Sequence, residues 1–180
     1  RLDVTKQNEI DAAVKTVRAG GKGLYGLVNN AGIVVSGPLT EIDEDELNWI
    51  LNVNVVGVFR VTKAFAPLII ESKGRITTTG SISGILAGTL SGPYAMSKHA
   101  IEAFTDSLAR EMAKFDVAVS VIEPGNYGSA IVDNLSQRMD RRGQSLEGSM
   151  FEDEMNEMLK GFENYTEAKP PDEVSAALLE

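Results

Sequence analysis

Short apolar runs alternate with longer helical segments along this chain, and this alternation decides its fold class. The runs read "GLYGLV" (23–28), "GRITTTGS" (74–81) and "VAVSVIEPG" (117–125). The longer segments repeat apolar residues at helical spacing, or are apolar on nearly every face, over residues 7–18, 44–70 and 94–113. Apolar strands separated by long helices are typical of βαβ units, whose parallel sheet is covered on both faces. The sequence therefore predicts an α/β fold built on a parallel sheet.

Each predicted strand ends in polar or glycine-rich residues. The three endings are "NNAG" (29–32), "GS" (80–81) and "EPG" (123–125). In open α/β sheets, ligands bind in the crevice outside the carboxyl ends of the strands. We therefore expect these three loops to face one ligand-binding crevice.

Composition narrows the classes of function. The chain has 180 residues, enough for a single domain (1–180), and a formal net charge of -9, which disfavours nucleic acid as a partner. It has no cysteine and one histidine, so we expect no metal site, and the lack of thiols fits a reducing, cytoplasmic location. No apolar run approaches the roughly 18 residues that a membrane span requires, and we expect none.

A tyrosine and a lysine stand four residues apart in "SGPYAMSKHAIEAF" (91–104). Free tyrosine has a pKa near 10, and an ammonium group within about 4 to 6 Å lowers it by roughly 1 to 3 units. On a helix this spacing places Tyr94 and Lys98 on one face, which makes Tyr94 a candidate general acid/base. The alternative is that Lys98 is an ordinary solvated side chain. The position of Ser81, where its hydroxyl could bond a developing oxyanion, favours the functional interpretation.

These motifs together resemble the short-chain dehydrogenase/reductase family. The resemblance is carried, in order, by "LDVT" (2–5), "LVNNAG" (27–32), "NVNVVG" (52–57), "GS" (80–81), "YAMSK" (94–98) and "EPG" (123–125). It implies a Rossmann-type, doubly wound parallel sheet and an enzyme that uses NAD or NADP to interconvert alcohols and ketones. On this resemblance the expected function is an oxidoreductase that transfers a hydride between the nicotinamide cofactor and a small-molecule alcohol or ketone.

The resemblance also implies roles for four catalytic residues. Tyr94 would be the acid/base, and Ser81 would orient the substrate oxygen. Lys98 would lower the pKa of Tyr94 and bind the nicotinamide ribose. Asn54 would hold a water molecule that continues the proton relay, although a polar residue satisfied inside an apolar helix is the alternative for this position.

Further positions match the cofactor contacts of the family. Asp3 and Val4 resemble the residues that contact the adenine, and Asn30 resembles the residue near the adenosine ribose. Pro124 and Gly125 would flank the nicotinamide. Tyr94 and Lys98 would also contact the cofactor.

The chain departs from the family pattern at both ends. The glycine-rich motif Gly-x-x-x-Gly-x-Gly, which would cradle the pyrophosphate, does not follow a first strand. The sequence begins where the third strand of the family ends, and "KPPDEVSAALLE" (169–180) resembles the helix before its last strand. We therefore expect a fold that is incomplete at both ends and that lacks the residue selecting NAD or NADP.

Residues 126–165 correspond to the substrate loop and lid of the family. Within them an apolar stripe either packs on the domain or covers an apolar substrate; it comprises Phe151, Met155, Met158, Leu159 and Phe162. "KGLYGLVNNAG" and "VSVIEPGNYGSAI" resemble the retinol and hydroxysteroid dehydrogenase branch, which suggests a lipophilic alcohol. As in the family, helices 44–70 and 94–113 would form a homodimer or homotetramer.

Two other functions share part of this pattern. A nucleotide-sugar epimerase or dehydratase also uses Tyr-x-x-x-Lys and the cofactor, but "NNAG" and the short chain after Lys98 favour the oxidoreductase. A non-catalytic dinucleotide sensor on the same fold typically loses the tyrosine or the lysine, and both are present here.

Overall fold

Three parallel strands form the sheet, in the order β1 (Gly26–Asn29), β2 (Arg75–Thr79) and β3 (Ala118–Ile122). A computed structural model describes residues 2–125, 148–163 and 169–177, together with positions 127, 131 and 135. Strands β2 and β3 lie inside the apolar runs predicted from the sequence, and β1 overlaps its run and extends one residue beyond it, to Asn29. The parallel α/β arrangement is therefore confirmed.

The helices also follow the predicted segments. They are α1 (Gln7–Ala19), α2 (Glu44–Leu51), a π-helical segment (Asn52–Gly57), α3 (Val58–Ser72), α4 (Gly92–Met112), α5 (Glu152–Glu163) and α6 (Asp172–Ala177), with 3₁₀ turns at Ile82–Gly84 and Ala113–Phe115. The predicted helix at 44–70 is thus one helical stretch whose middle turn widens into a π-helix. Helix α4 begins two residues before Tyr94, with Pro93 in its first turn, where a missing N–H is tolerated.

The described helices cover one face of the sheet, which differs from the expectation of two covered faces. Leu27, Ile76 and Val119 are paired across the strands and pack into the core, whereas Val28, Thr77 and Ser120, one residue further on, are aligned on the opposite face. Val28 is 47% exposed there. The reason is the strand order: because β1, β2 and β3 are consecutive, two right-handed crossovers place their helices on the same side.

Two apolar clusters hold these helices on the sheet. Where α1 meets α3, the buried residues are Ile10, Val61, Phe65 and Leu68. Where α3 and α4 meet β2 and β3, they are Ile69, Ile76, Met112 and Val117. Helix α3 is therefore packed against α1 on one side and against the sheet and α4 on the other.

In the part of the chain that the structure describes, one helical stretch is long and apolar enough to cross a membrane. It is Glu44–Ser72, with 29 residues and a mean hydropathy of 1.6 in its most apolar window. Half of that window is buried inside the fold, and core helices pass the same test of length and composition. The stretch is therefore weak evidence for a span, and the expected absence of one stays a prediction.

The close approach of Gly74 to β1 gives a test of this packing. A Cβ atom at Gly74 would overlap the carbonyl oxygen of Tyr25 and lie 2.8 Å from its carbonyl carbon, and this backbone is held by the sheet. We expect Gly74→Ala to lower the free energy of unfolding by about 1 to 3 kcal/mol, measured by chemical denaturation. Gly161→Ala is the matched control, because a Cβ there meets nothing within 4 Å. The control substitution should be neutral or should stabilise helix α5 by up to about 1 kcal/mol. Equal effects of the two substitutions on the free energy of unfolding would contradict the prediction.

Candidate active site

Lys98 is bonded to the carboxyl end of β2. Its ammonium donates a hydrogen bond of 2.7 Å to the carbonyl oxygen of Thr79, the last residue of that strand. The hydroxyl of Thr79 donates to the side-chain oxygen of Asn30, which follows β1, at 3.1 Å. Thr79 therefore joins the loop after β1 to helix α4, as the sequence predicted for the strand ends.

The Lys98 ammonium lies over the ring of Tyr94, 5.6 Å from its centroid. The lysine is only 6% exposed, so it is not the solvated side chain of the alternative interpretation. Burial lowers the pKa of Lys98 to about 8, and the nearby carboxylate of Glu102 opposes this shift. Tyr94 itself is half-buried. The pair thus consists of a desolvated cation beside a phenol, the arrangement that stabilises a phenolate.

Ser81 begins the 3₁₀ turn at Ile82–Gly84, which packs against α4. It is 8% exposed, and its side-chain oxygen accepts a hydrogen bond from the backbone N–H of Ser83 at 3.2 Å. This bond uses an oxygen lone pair, so the hydroxyl hydrogen is not consumed by it.

Pro124 links the end of β3 to the same turn. Its carbonyl oxygen accepts a hydrogen bond from the backbone N–H of Ile82 at 3.1 Å. Gly125 follows on the surface. The "GS" and "EPG" loops therefore meet at the carboxyl edge of the sheet, as predicted.

Asn54 connects the loop after β1 to the tyrosine helix. Its side-chain oxygen accepts from the N–H of Ile33 at 2.8 Å, and its amide donates to the carbonyl of Ile33 at 2.9 Å and to Oγ of Ser97 at 3.0 Å. Ser97 in turn donates to the carbonyl oxygen of Tyr94 at 2.7 Å. These contacts agree with the alternative of a polar residue satisfied inside the helix. The water-holding role of Asn54 stays a prediction.

Asp3 and Val4 lie in a separate region, a cleft of about 1090 Å³. Its walls come from the N-terminal segment, helix α1, the loop after β1 and the α2–π stretch; they include Leu2, Asp3, Val4, Lys6, Gly32, Ile33, Trp49 and Val53. The carboxylate of Asp3 accepts hydrogen bonds from N and Oγ1 of Thr5, at 2.9 and 2.7 Å, and these lower the pKa of Asp3. The bonds from Asn54 to Ile33 connect this cleft with the Tyr94–Lys98 pair.

The predicted loop at 126–165 lies largely outside the described residues, and so does the side chain of Phe162. The described part of the stripe packs on the domain: Met155 is 8% exposed and contacts Leu90 and Leu135. The carboxylate of Glu41 accepts bonds from the Ser149 hydroxyl at 2.6 Å and from the Met150 N–H at 3.0 Å. The described part of the stripe thus follows the first of the two alternatives, packing on the domain. Its role as a lid over the substrate stays a prediction.

Sequence reasoning missed Ser97, Glu102 and the placement of Trp49 in the cleft wall. The signal for Ser97 was its position inside "YAMSK", and the signal for Glu102 was a charge one helical turn after Lys98. Among the residues described, no three His, Cys, Asp or Glu side chains are grouped as metal ligands.

The sequence model of the short chain dehydrogenase family matches residues 1–140. Human 17-beta-hydroxysteroid dehydrogenase type 6 is 43% identical over 150 residues, which cover 80% of this chain and 46% of that protein. Rat retinol dehydrogenase 7 is 37% identical over 175 residues, or 91% and 55% of the two chains. Bovine mitochondrial D-beta-hydroxybutyrate dehydrogenase is 42% identical over 134 residues, or 72% and 39%.

Solved structures are also similar to this chain in fold and sequence. A short chain dehydrogenase/reductase from Burkholderia phymatum in complex with NAD has a TM-score of 0.70 and 28% identity, over 74% of this chain and 49% of that one. ElxO with NADP bound has a TM-score of 0.68 and 29% identity, over 81% and 58%. The chain spans about half the length of the curated relatives it matches. The predicted resemblance to the retinol and hydroxysteroid branch is confirmed, and the chain belongs to the short-chain dehydrogenase/reductase family.

Proposed function

We propose that the protein is an NAD(P)-dependent oxidoreductase that interconverts an alcohol and a ketone, with Tyr94 as the general acid/base. The observation that carries this proposal is the Lys98 ammonium, almost fully buried and held 5.6 Å from the Tyr94 ring at the carboxyl end of β2. Burying a lysine costs free energy, and a structural contact with one carbonyl does not require a cation. A cation beside a phenol does have a chemical use.

In this mechanism each residue acts at a named atom. During alcohol oxidation the Tyr94 phenolate accepts the hydroxyl proton of the substrate, and during ketone reduction the phenol donates it. The Lys98 ammonium stabilises the phenolate, and the Ser81 hydroxyl donates a hydrogen bond to the substrate oxygen. Asn54 fixes the loop after β1 against α4 through Ile33 and Ser97.

We propose that the cleft holds the adenosine end of a dinucleotide. Its volume of about 1090 Å³ is that of a cofactor-sized site, and the loop after β1 supplies backbone close to its wall at Gly32. Asp3 and Val4, which line this cleft, would hold the adenine end. Outside the cleft, Asn30 would hold the adenosine ribose, and Tyr94, Lys98, Pro124 and Gly125 would hold the nicotinamide end. When bound, the nicotinamide supplies hydride acceptance and donation. The solved neighbours include one with NAD and one with NADP, so the proposal covers both.

For the substrate we propose a lipophilic alcohol or ketone. Ile85 and Leu86 lie between Ser81 and Tyr94 in the chain and are 64% and 67% exposed, so the segment that joins the two proposed catalytic residues presents apolar surface. The names of two relatives refer to hydroxysteroids and retinol, whereas a third is named for hydroxybutyrate, a small polar substrate. We likewise propose a cytoplasmic location for this protein. The third relative, by its name, is a mitochondrial protein.

We also propose a homodimer or homotetramer that forms through α3 and α4. Both helices expose apolar side chains, including Phe59 (50%) and Met96 (46%). Val56, in the π-helical segment before α3, is 38% exposed. Association would remove this surface from water.

Tyr94→Phe tests the acid/base assignment. Loss of the phenolic oxygen should reduce kcat by about 10²- to 10⁴-fold or more while cofactor affinity is retained. The assay follows nicotinamide absorbance with alcohols and ketones, on protein expressed from its complete reading frame, and binding is measured separately by fluorescence. Tyr25→Phe, at a tyrosine that is 61% exposed near the other end of the sheet, is the control. Near-normal turnover by Tyr94→Phe would show that another group transfers the proton.

Lys98→Met tests the cost of the buried charge. A pKa lowered from 10.5 to about 8 corresponds to about 3 kcal/mol of destabilisation while the lysine is charged. We therefore expect the variant to be inactive but more stable than the wild type at pH 7, as measured by chemical denaturation.

The sign of the pH dependence gives a second readout for Lys98→Met. Between pH 8 and 10.5 the unfolded chain still binds the lysine proton and the folded chain does not, so the wild type gains stability as pH rises. The advantage of the variant should therefore be full at pH 7 and smaller at pH 9.5. Lys15→Met, on the exposed side of α1, should show no such change. A variant that is less stable than the wild type at both pH values would contradict the cost argument.

Phe59→Glu tests the proposed interface. A carboxylate in a buried contact between copies should shift the protein towards a monomer in analytical ultracentrifugation, because burying an unpaired charge is costly. Phe115→Glu, at a phenylalanine that is 37% exposed on the 3₁₀ turn after α4, is the matched control. Unchanged association of Phe59→Glu would place the interface elsewhere.

A further inference from the structure

The carboxyl group of Glu102 occupies a notch made by two glycines. Glu102 lies on α4, one helical turn after Lys98. A Cβ atom at Gly80 would lie 2.7 Å from its Oε1, and a Cβ at Gly84 would lie 2.8 Å from the same oxygen. The backbone on both sides of Ser81 is therefore in direct contact with this carboxyl group, and a larger residue at either position would displace it.

The environment of this carboxyl group is unfavourable for an ordinary surface glutamate. Its Oε1 is buried and has no hydrogen-bond partner among the described residues. An unpartnered buried oxygen costs stability, since it has lost its hydration without a replacement. Burial is the main reason that the pKa of Glu102 is raised, and the carboxylates of Glu123 and Asp106 add to the effect. A glutamate kept under these conditions calls for a functional explanation.

Glu102 lies close to Lys98, because Gly80, which its carboxyl group contacts, follows Thr79, whose carbonyl oxygen binds the Lys98 ammonium. Lys98, His99 and Asp106 lie on its own helix, and Glu123 follows β3. The elements packed against α4 add few ionisable residues: the turn Ile82–Gly84, strand β3 and the π-helical segment have none, Ala113–Phe115 has Lys114, and α2 has Glu44, Asp45 and Glu46. For Lys98, burial favours the neutral amine, and Glu102 is the group that opposes it.

We propose that Glu102 is a positioning residue whose carboxylate, fixed in the Gly80–Gly84 notch, keeps the buried Lys98 ammonium charged and so sets the pH range in which Tyr94 works. This inference rests on the proposed roles of Tyr94 and Lys98. It assigns Glu102 no contact with substrate or cofactor. The effect is electrostatic and is transmitted through Lys98.

The expected direction follows from charge alone. Without the negative charge of Glu102, the proton of Lys98 is held less tightly, so a larger fraction of the lysine is neutral and the Tyr94 phenolate loses part of its stabilising cation. In alcohol oxidation Tyr94 accepts a proton, and the rate rises with pH as the phenol ionises. The rate profile of Glu102→Gln should therefore move to higher pH, by about half a unit to one unit.

The experiment uses enzyme from the complete reading frame and three measurements on each variant. They are the pH profile of kcat/KM for oxidation, the titration midpoint of Lys98 by NMR with labelled lysine, and the unfolding transition at pH 7. Glu102→Gln should move the profile to higher pH and lower the Lys98 midpoint, without loss of stability, because it removes a poorly solvated charge. Glu102→Asp, which keeps the charge, should restore most of the wild-type profile. Glu111→Gln, an exposed residue on the same helix, should change neither.

The outcomes separate this inference from the proposed function. An unchanged Lys98 midpoint in Glu102→Gln would overturn the inference, whatever the activity. A lowered midpoint with an unchanged rate profile would support the action of Glu102 on Lys98 and contradict the catalytic roles of Tyr94 and Lys98. If Glu102→Gln does not fold, Glu102→Met provides the same measurements, since an apolar chain needs no partner in the notch. Failure of both to fold would show that the role of Glu102 is structural and would overturn the proposal.

Discussion

The bond from the Lys98 ammonium to the last carbonyl of β2 is the contact on which the site geometry depends. It holds the tyrosine helix against the sheet at the point where Thr79 also bonds Asn30, and two residues before Ser81. To reach this carbonyl, the ammonium group of Lys98 leaves water, which costs free energy. A lysine that only packed its aliphatic chain would keep its ammonium group at the surface. Burial of the cation costs stability, and its field acts on Tyr94, the group beside it.

Chain topology explains why these groups meet. Consecutive strands joined by right-handed crossovers place α2–α3 and α4 on the same face of the sheet. Asn54 and Ser97, which are 43 residues apart in sequence, are consequently within 3.0 Å. The same topology leaves Val28, Thr77 and Ser120 on an uncovered face among the described residues. The site is therefore formed at an edge of the sheet whose position depends on packing from one side.

Sequence patterns were sufficient for the elements and for the contact between Lys98 and Tyr94. Every predicted strand and helix in the described residues exists, since apolar runs and helical spacing are local signals, and the i, i+4 spacing placed Lys98 beside Tyr94. The coverage of one face was not predicted, because it depends on strand order rather than on any strand. The π-helical turn at "NVNVVG" and the partners of Asn54 were missed for a similar reason. Ile33 becomes its partner only after the loop after β1 folds onto the helix.

The contact of Glu102 with Gly80 and Gly84 and the bond of Lys98 to Thr79 have a common cause. A glycine before the first residue of a turn usually indicates backbone freedom, but neither Gly80 nor Gly84 has a positive φ. Their small size is needed because α4 approaches the strand end closely enough to seat a carboxyl group there. That approach is also what brings Lys98 to Thr79. The glycines, the carboxylate and the ammonium thus meet in one close contact between helix and strand, and we expect a change at any of them to alter the electrostatic environment of Tyr94.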